Sequence, residues 1–161
     1  MEPSIKTLTE KKLIGIYVNT TFADDKTSEL WKTFMPRRNE IQHNVTSDLI
    51  SLQVYGPSFS FIQFNPNEPF EKWALREVSD FNSVPDGMET FLLNGGLYAV
   101  FIHKGSAAEA EKTFGYIFNI WLPQSVYTLD DRPHFEVLGA KYKNNDPNSE
   151  EEVWIPIRPK T

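Results

Sequence analysis

Residues 12–64 and 97–157 carry the same succession of local signals: strand, helix, strand, strand. In the first, "KLIGIYVNT" alternates, with Ile14, Ile16 and Val18 on one side and Leu13, Gly15 and Tyr17 on the other, which is the two-residue period of a strand. "ADDKTSE" supplies helix N-cap residues, and Leu30, Trp31, Phe34 and Met35 recur at helical spacing until Pro36 interrupts it. "LISLQVYGPSFSFIQF" reads as two strands around Gly56-Pro57. In the second, Ser106 and Glu109 form an S-x-x-E capping box. Ala110, Phe114, Ile117, Phe118 and Trp121 follow as an apolar stripe, with Trp121 in the core, ending before Pro123. "HFEVL" and "EVWIPI" give the last strands, with Pro156 expected at an edge or bulge. Two such units predict an α+β fold. The expected arrangement is an antiparallel sheet with two helices on one side and the other face free to form a cleft.

Between the units, "EKWALREVSDF" reads as a strand with Trp73, Leu75 and Glu77 on one side. "METFLLNGGLYAVFIHKG" reads as a hairpin, because Asn-Gly suits a turn whose two central residues need positive φ. A length of 161 residues fits one domain over 1–161, with 40% hydrophobic residues to build its core. The absence of cysteine excludes disulfides, thiolate metal sites and a cysteine nucleophile, and is compatible with the cytoplasm. No apolar run reaches the ~18 residues of a membrane span, and "MEPSIKTLTEKK" has no apolar signal-peptide segment. A cytoplasmic location without membrane contact is the expectation. The net charge of −6, with no basic cluster larger than a pair such as Arg37 and Arg38, argues against direct nucleic-acid binding.

Strand alternation then sorts side chains between the two faces. Assigning Phe135 and Val137, Val153, Ile155 and Ile157, and Ile50, Leu52 and Val54 to the helices leaves Glu136, His134, Trp154, Tyr55 and Tyr17 on the other face. A face so aromatic marks a binding site rather than a solvated surface. A one-residue slip of register would invert the assignment. A carboxylate among rings can hold a cation, each ring contributing about 0.5–2 kcal/mol. Alternatively, its desolvation makes it a general acid or base near neutral pH. The competing structural reading is a rim residue in water, or one paired with Arg132 or Lys141.

The stretches "ELWKTFMPRRNEI", "VPDGMETFLLNGGLYAVFIHKG", "IWLPQSVYTLDDRPHFEVL" and "EEEVWIPIRP" resemble, in order and over almost the whole chain, the gyrase-inhibitor-like small-molecule-binding domain. That domain is the effector-binding part of many AraC-type and MerR-type drug-sensing regulators. The resemblance implies a pseudo-twofold fold around a central cleft and maps the family's pocket glutamate onto Glu136. It further implies an aromatic lining from the first helix, the central strands and the last strand, here Trp31, Tyr55, Trp73 and Trp154. Unlike those regulators, the chain is expected to lack a DNA-binding region.

The histidines do not fall at metal-ligand spacings, so no metal and no cofactor is expected. His134 can tune Glu136 or simply be a surface residue. "DPNSEEE" at 146–152 reads as a solvated loop able to attract cations. The leading expectation is a stand-alone protein that binds amphipathic, cationic or neutral organic molecules over Glu136. The rivals are a hydrolase with Glu136 as the base that activates water, Tyr55 orienting the substrate, and a protein-interaction module of the gyrase-inhibitor type engaging a partner through Glu150, Glu151 and Glu152.

Overall fold

The computed structural model describes residues 1–161. Its strands are β1 (Ser4–Leu8), β2 (Lys11–Thr20), β3 (Leu49–Val54), β4 (Phe70–Val78), β5 (Glu89–Leu93), β6 (Gly96–Lys104), β7 (Tyr127–Leu129), β8 (His134–Leu138) and β9 (Glu150–Pro159). Its two main helices are α1 (Thr27–Phe34) and α2 (Ala110–Tyr116). All strand pairs are antiparallel, in the order β1-β6-β9-β8-β3-β4-β2-β5, with β7 paired to β9. Reversing that order about the β8–β3 junction exchanges β6-α2-β8-β9 with β2-α1-β3-β4, which is the expected pseudo-twofold tandem.

Local chemistry sets the helix limits. Asp25 Oδ1 accepts the Thr27 backbone N–H at 2.9 Å and so satisfies one orphan donor of α1. Pro36 ends the α-helix and opens a 3₁₀ segment, Met35–Glu40. Ser106 occupies an N-cap position with extended dihedrals, but its hydroxyl caps nothing. The expected capping box is therefore not formed; the Ser106 carbonyl accepts Glu109 N–H at 3.0 Å instead. Beyond α2 the helix widens into a π-helical turn, Ile117–Trp121, before a last turn, Leu122–Gln124.

Three expectations about the strands are corrected. Asn94-Gly95 is not a hairpin turn, since β5 pairs with β2 and β6 with β1. The register Leu8↔Gly96 and Lys11↔Leu93 is continuous, so residues 4–15 lie along residues 100–89 as two long bent strands. Gly95 packs against the Leu8 carbonyl, where a Cβ would collide, and Gly96 has φ 149°. Glycine here permits a bend instead of a reversal. The second strand expected within 56–64 does not form: residues 56–69 hold only turns and bends, and β4 begins at Phe70. Pro156 is not on an edge strand. β9 pairs with β8 through Trp154 and with β7 from Ile157, so the missing N–H of proline falls where β9 changes partner.

Both helices pack on one face of the sheet. Leu30 and Phe34 of α1 meet Ile14, Ala74 and Val78, and Ile117 meets Ala99, Phe101, Val153, Ile155 and Ile157, with Trp121 packed edge-on against Phe101 at 5.2 Å. No helix covers the opposite face, yet Leu13, Leu52, Leu75, Leu93 and Tyr98 there are 0% exposed. These residues belong to one cluster that draws on strands from both ends of the sheet order, so the sheet rolls around its own interior. Leu52→Ala should therefore cost about 2–5 kcal/mol in denaturant unfolding. Ile62→Ala, at a side chain that is 90% exposed, should stay within about 0.5 kcal/mol of wild type.

Candidate functional site

The junction between the two units is the β3–β8 pair, in which Ser51 faces Glu136 and Gln53 faces His134. In antiparallel strands, directly opposed residues share a face. Following the pairing outward puts Lys72 and Ala74 of β4, and Glu151 and Val153 of β9, on that same face. Ala74 and Val153 pack under α1 and α2 respectively, so this is the helix side of the sheet. α1 sits over β2 and β4, and the α2 segment over β6 and β9. The strip over β3 and β8, which carries Glu136, lies between the two helices.

The expected division of faces is thus inverted for β3 and β8. Phe135 is the cross-strand partner of Trp154, so both enter the rolled interior, and Glu136 turns to the helices. Glu136, His134 and Tyr55 are brought together. Trp73, Trp154 and Tyr17 lie on the other face. There Trp73 Nε1 donates to Glu71 Oε1 at 2.9 Å, Trp154 Nε1 donates to Glu152 Oε1 at 2.9 Å, and Tyr17 stacks on Trp73 at 4.6 Å. Trp31 lies on α1, edge-on to Phe34 at 5.6 Å. The expected loop holds over 146–149 but not to 152, because Glu150, Glu151 and Glu152 open β9.

Burial holds the Glu136 carboxyl up at about 7, against the pull of Lys72 and with Glu151 adding repulsion. Glu151 is raised for the same first reason, burial, and Lys72 opposes the shift there too. One ammonium thus serves two carboxyls. Gln53 links them: with its amide turned so that both ends are satisfied, its nitrogen donates to Glu136 Oε2 at 3.0 Å and its oxygen accepts from Lys72 Nζ at 3.0 Å. His103, 1% exposed, meets the Thr113 hydroxyl at 2.7 Å and the Ser106 carbonyl at 3.2 Å, tying the floor to the start of α2. Glu136 pairs with neither Arg132 nor Lys141. Arg132 Nε donates to Asp130 Oδ2 at 2.7 Å.

His134 is a buried residue, not a surface one, and burial pushes its ring down to about 3, so it stays neutral. It forms an aromatic wall with Tyr55 (ring centroids 4.8 Å apart), Phe61 (5.5 Å) and Phe118 (6.1 Å). Burial also raises the Tyr55 phenol well above its ordinary range, with the Glu136 charge adding to the shift. A cavity of ≈ 180 Å³ touches His134, Tyr55, Phe59, Phe61 and Asp130 at one end of β8. Another of ≈ 360 Å³ lies at the other end, against Val137, Gly139, Glu150, Glu151 and Glu152. Sequence reasoning missed Lys72, Gln53, Glu151, Phe61 and Phe118 as site residues. Four phenylalanines at 59, 61, 64 and 70 were the available signal for the wall. No group of His, Asp and Glu side chains is arranged to hold a metal ion, and no helix is long and apolar enough to cross a membrane.

A sequence profile of the GyrI-like small molecule binding domain matches residues 1–158. The transcriptional regulator BrlR of Pseudomonas aeruginosa is 30% identical over 146 residues, which are 90% of this chain and 51% of BrlR. The chain spans about half the length of that relative. Among solved structures, SAV2435 bound to tetraphenylphosphonium aligns with a TM-score of 0.73 at 14% identity, over 98% of this chain and 94% of that one. The C-terminal domain of EcmrR aligns at 0.70 and 14% identity, over 99% and 98%. A hydrolase from Listeria innocua aligns at 0.61 and 12% identity, over 98% and 92%. Those identities establish a shared fold, whereas the profile match runs almost from end to end: the chain belongs to the GyrI-like small-molecule-binding domain family.

Proposed function

We propose that the groove between α1 and α2 binds amphipathic organic molecules, cationic or neutral, over Glu136. The observation that carries this reading is a half-buried carboxyl near neutrality at the foot of an aromatic wall. When ionised, Glu136 attracts a cation to which the rings add cation–π contact. When protonated, it offers a donor to a neutral ligand. Lys72 already balances part of the charge, so burial of the ligand's apolar surface supplies the larger share of affinity. Tetraphenylphosphonium, the cation bound by SAV2435, is the natural first probe.

A second reading has Glu136 as a general base that activates water against a reactive small electrophile. A carboxyl at about 7 is poised for proton transfer at neutral pH. Tyr55 stands on the same face, edge-on to His134, where it can orient a substrate. In this reading hydrolysis rises through pH 7 in wild type and loses that titration in Glu136→Gln; an unchanged profile in the variant removes it.

Two measurements address the carboxyl directly. Isothermal titration with tetraphenylphosphonium should give an affinity that rises with pH through about 7 and then levels off, because the attracting form is the carboxylate. Glu136→Gln should bind roughly tenfold more weakly at pH 8 and show no such rise. Equal affinity in both proteins at pH 8 would remove the charge role. Stability should follow the same group with the opposite slope. Its folded value near 7 lies above the usual carboxyl range, so stability present at low pH is lost as pH climbs from about 4.5 to 7. In denaturant melts above pH 7, Glu136→Gln should exceed wild type by on the order of 2 kcal/mol.

A further inference from the structure

Arg76 is a buried cation that the Glu136 site does not use. It is 7% exposed and stands on the helix side of β4, between Ala74 and Val78 and directly opposite Ile14 of β2. The ion pairs of the molecule join Lys11 to Glu77, Arg37 to Glu40, and Asp130 to Arg132 and Arg158. None includes Arg76. Burial lowers its pKa, the Arg38 charge lowers it further, and no carboxylate opposes the shift. A guanidinium does not shed its proton inside a protein, so a buried one needs an anion or a full set of acceptors.

The internal repeat shows how exceptional the position is. Leu52 is paired with Phe135 at the junction, Trp73 with Leu52, and Trp154 with Phe135. The pseudo-twofold axis therefore exchanges Trp73 with Trp154 and, at the same offset, Lys72 with Val153 and Arg76 with Ile157. Val153 and Ile157 are fully buried core residues packed with Ile117. One repeat thus carries cations at two positions that the other fills with hydrocarbon. Lys72 is answered by Glu136 and Glu151; Arg76 is answered by no carboxylate.

The hydrogen bonds of Arg76 are long. Nη1 donates to the Arg38 carbonyl at 3.2 Å and to Asn39 Oδ1 at 3.4 Å, Nη2 donates to the Thr46 carbonyl at 3.5 Å, and the buried Nε has no partner. Nε and Nη2 form the edge of a guanidinium that matches two oxygens of one carboxylate or phosphate. Arg37 shows that match within this chain, its Nε and Nη2 donating to Oε2 and Oε1 of Glu40, both at 2.9 Å. On Arg76 the same edge has one unmet donor and one stretched one. Asn39 and every residue from Gln42 to Ser47 are exposed, and Arg38 is half-buried. The edge therefore lies just beneath an exposed loop, with a second cation beside it. We propose that Arg76 and Arg38 form a site for a small oxyanion, a carboxylate or a phosphate group, gripped by two oxygens on the Nε–Nη2 edge of Arg76. Binding shifts the Thr46 carbonyl away from Nη2, and the exposed 42–47 loop moves with it.

Thermal melts and isothermal titrations with inorganic phosphate, acetate and chloride at matched ionic strength test the site. An anion that binds only the folded protein raises Tm, so phosphate or acetate should raise the Tm of wild type by a few degrees over chloride. Arg76→Met should lose that rise. Arg38→Gln keeps the carbonyl that accepts Arg76 and removes only the second charge, so it should bind the active anion roughly tenfold more weakly. This variant decides the question if Arg76→Met does not fold. A response to acetate alone identifies a carboxylate ligand, and one to phosphate alone a phosphate group. Glu136→Gln should keep the full anion effect, so the site stands or falls apart from the binding role of Glu136. An equal Tm rise in wild type and Arg76→Met, binding that Arg38→Gln leaves unchanged, or no response of wild type to either oxyanion overturns the proposal and makes Arg76 a structural clamp on residues 38–46.

Discussion

The pairing of β3 with β8, Leu52 opposite Phe135 and Ser51 opposite Glu136, governs the rest of the molecule. Because side chains alternate along a strand, that one register sends Leu52 and Phe135 into the rolled interior and turns Ser51, Gln53, His134 and Glu136 outward to the helices. A slip of one residue would bury Glu136 among leucines and expose the core. The register is protected by its consequences: large apolar side chains have a full interior to enter only in this alignment. The site needs no separate instruction, since the alignment that completes the core also delivers the carboxyl to the groove.

The carboxyls on the helix side of the sheet are tied to a single cation. Two raised carboxyls share Lys72, and Gln53 couples that ammonium to Glu136. In the proposed binding role, an incoming cation would displace part of the lysine's role, and an uncharged ligand would meet a protonated Glu136. His134, neutral and stacked, adds an aromatic surface without adding charge. On the proposed reading, one adjustable charge and several rings would discriminate ligands by shape and apolar area more than by exact polar complementarity.

Much of this was legible in the sequence. The repeated order of elements predicted the two units, Pro36 the end of α1, and Glu136 stood out as a carboxylate inside an apolar strand. The faces were misassigned because alternation states that two sets exist without saying which set meets a helix. On β9 the aliphatic set does; on β3 and β8 it packs against the sheet's own far strands. Asn94-Gly95 misled because a local turn preference was overridden by two long ladders available to β5 and β6 elsewhere. The place of Phe61 beside His134 was invisible because "FSF" has strand alternation, while its stacking partner is Phe118, 57 positions further on in the chain.

The continuous pairing of residues 4–15 with 100–89 has a consequence for how the halves depend on each other. The opening strand of each unit lies not on its own second strand but on that of the other: β1 on β6, and β5 on β2. The two units therefore stand to each other as the partners of a domain-swapped dimer, with exchanged arms, except that a single chain holds both. Neither half closes its own sheet edge, so the molecule is indivisible despite its internal repetition. A fragment ending after β4 would present an unpaired β1 arm and an unpaired β2 edge, complementary to those of a second copy of itself.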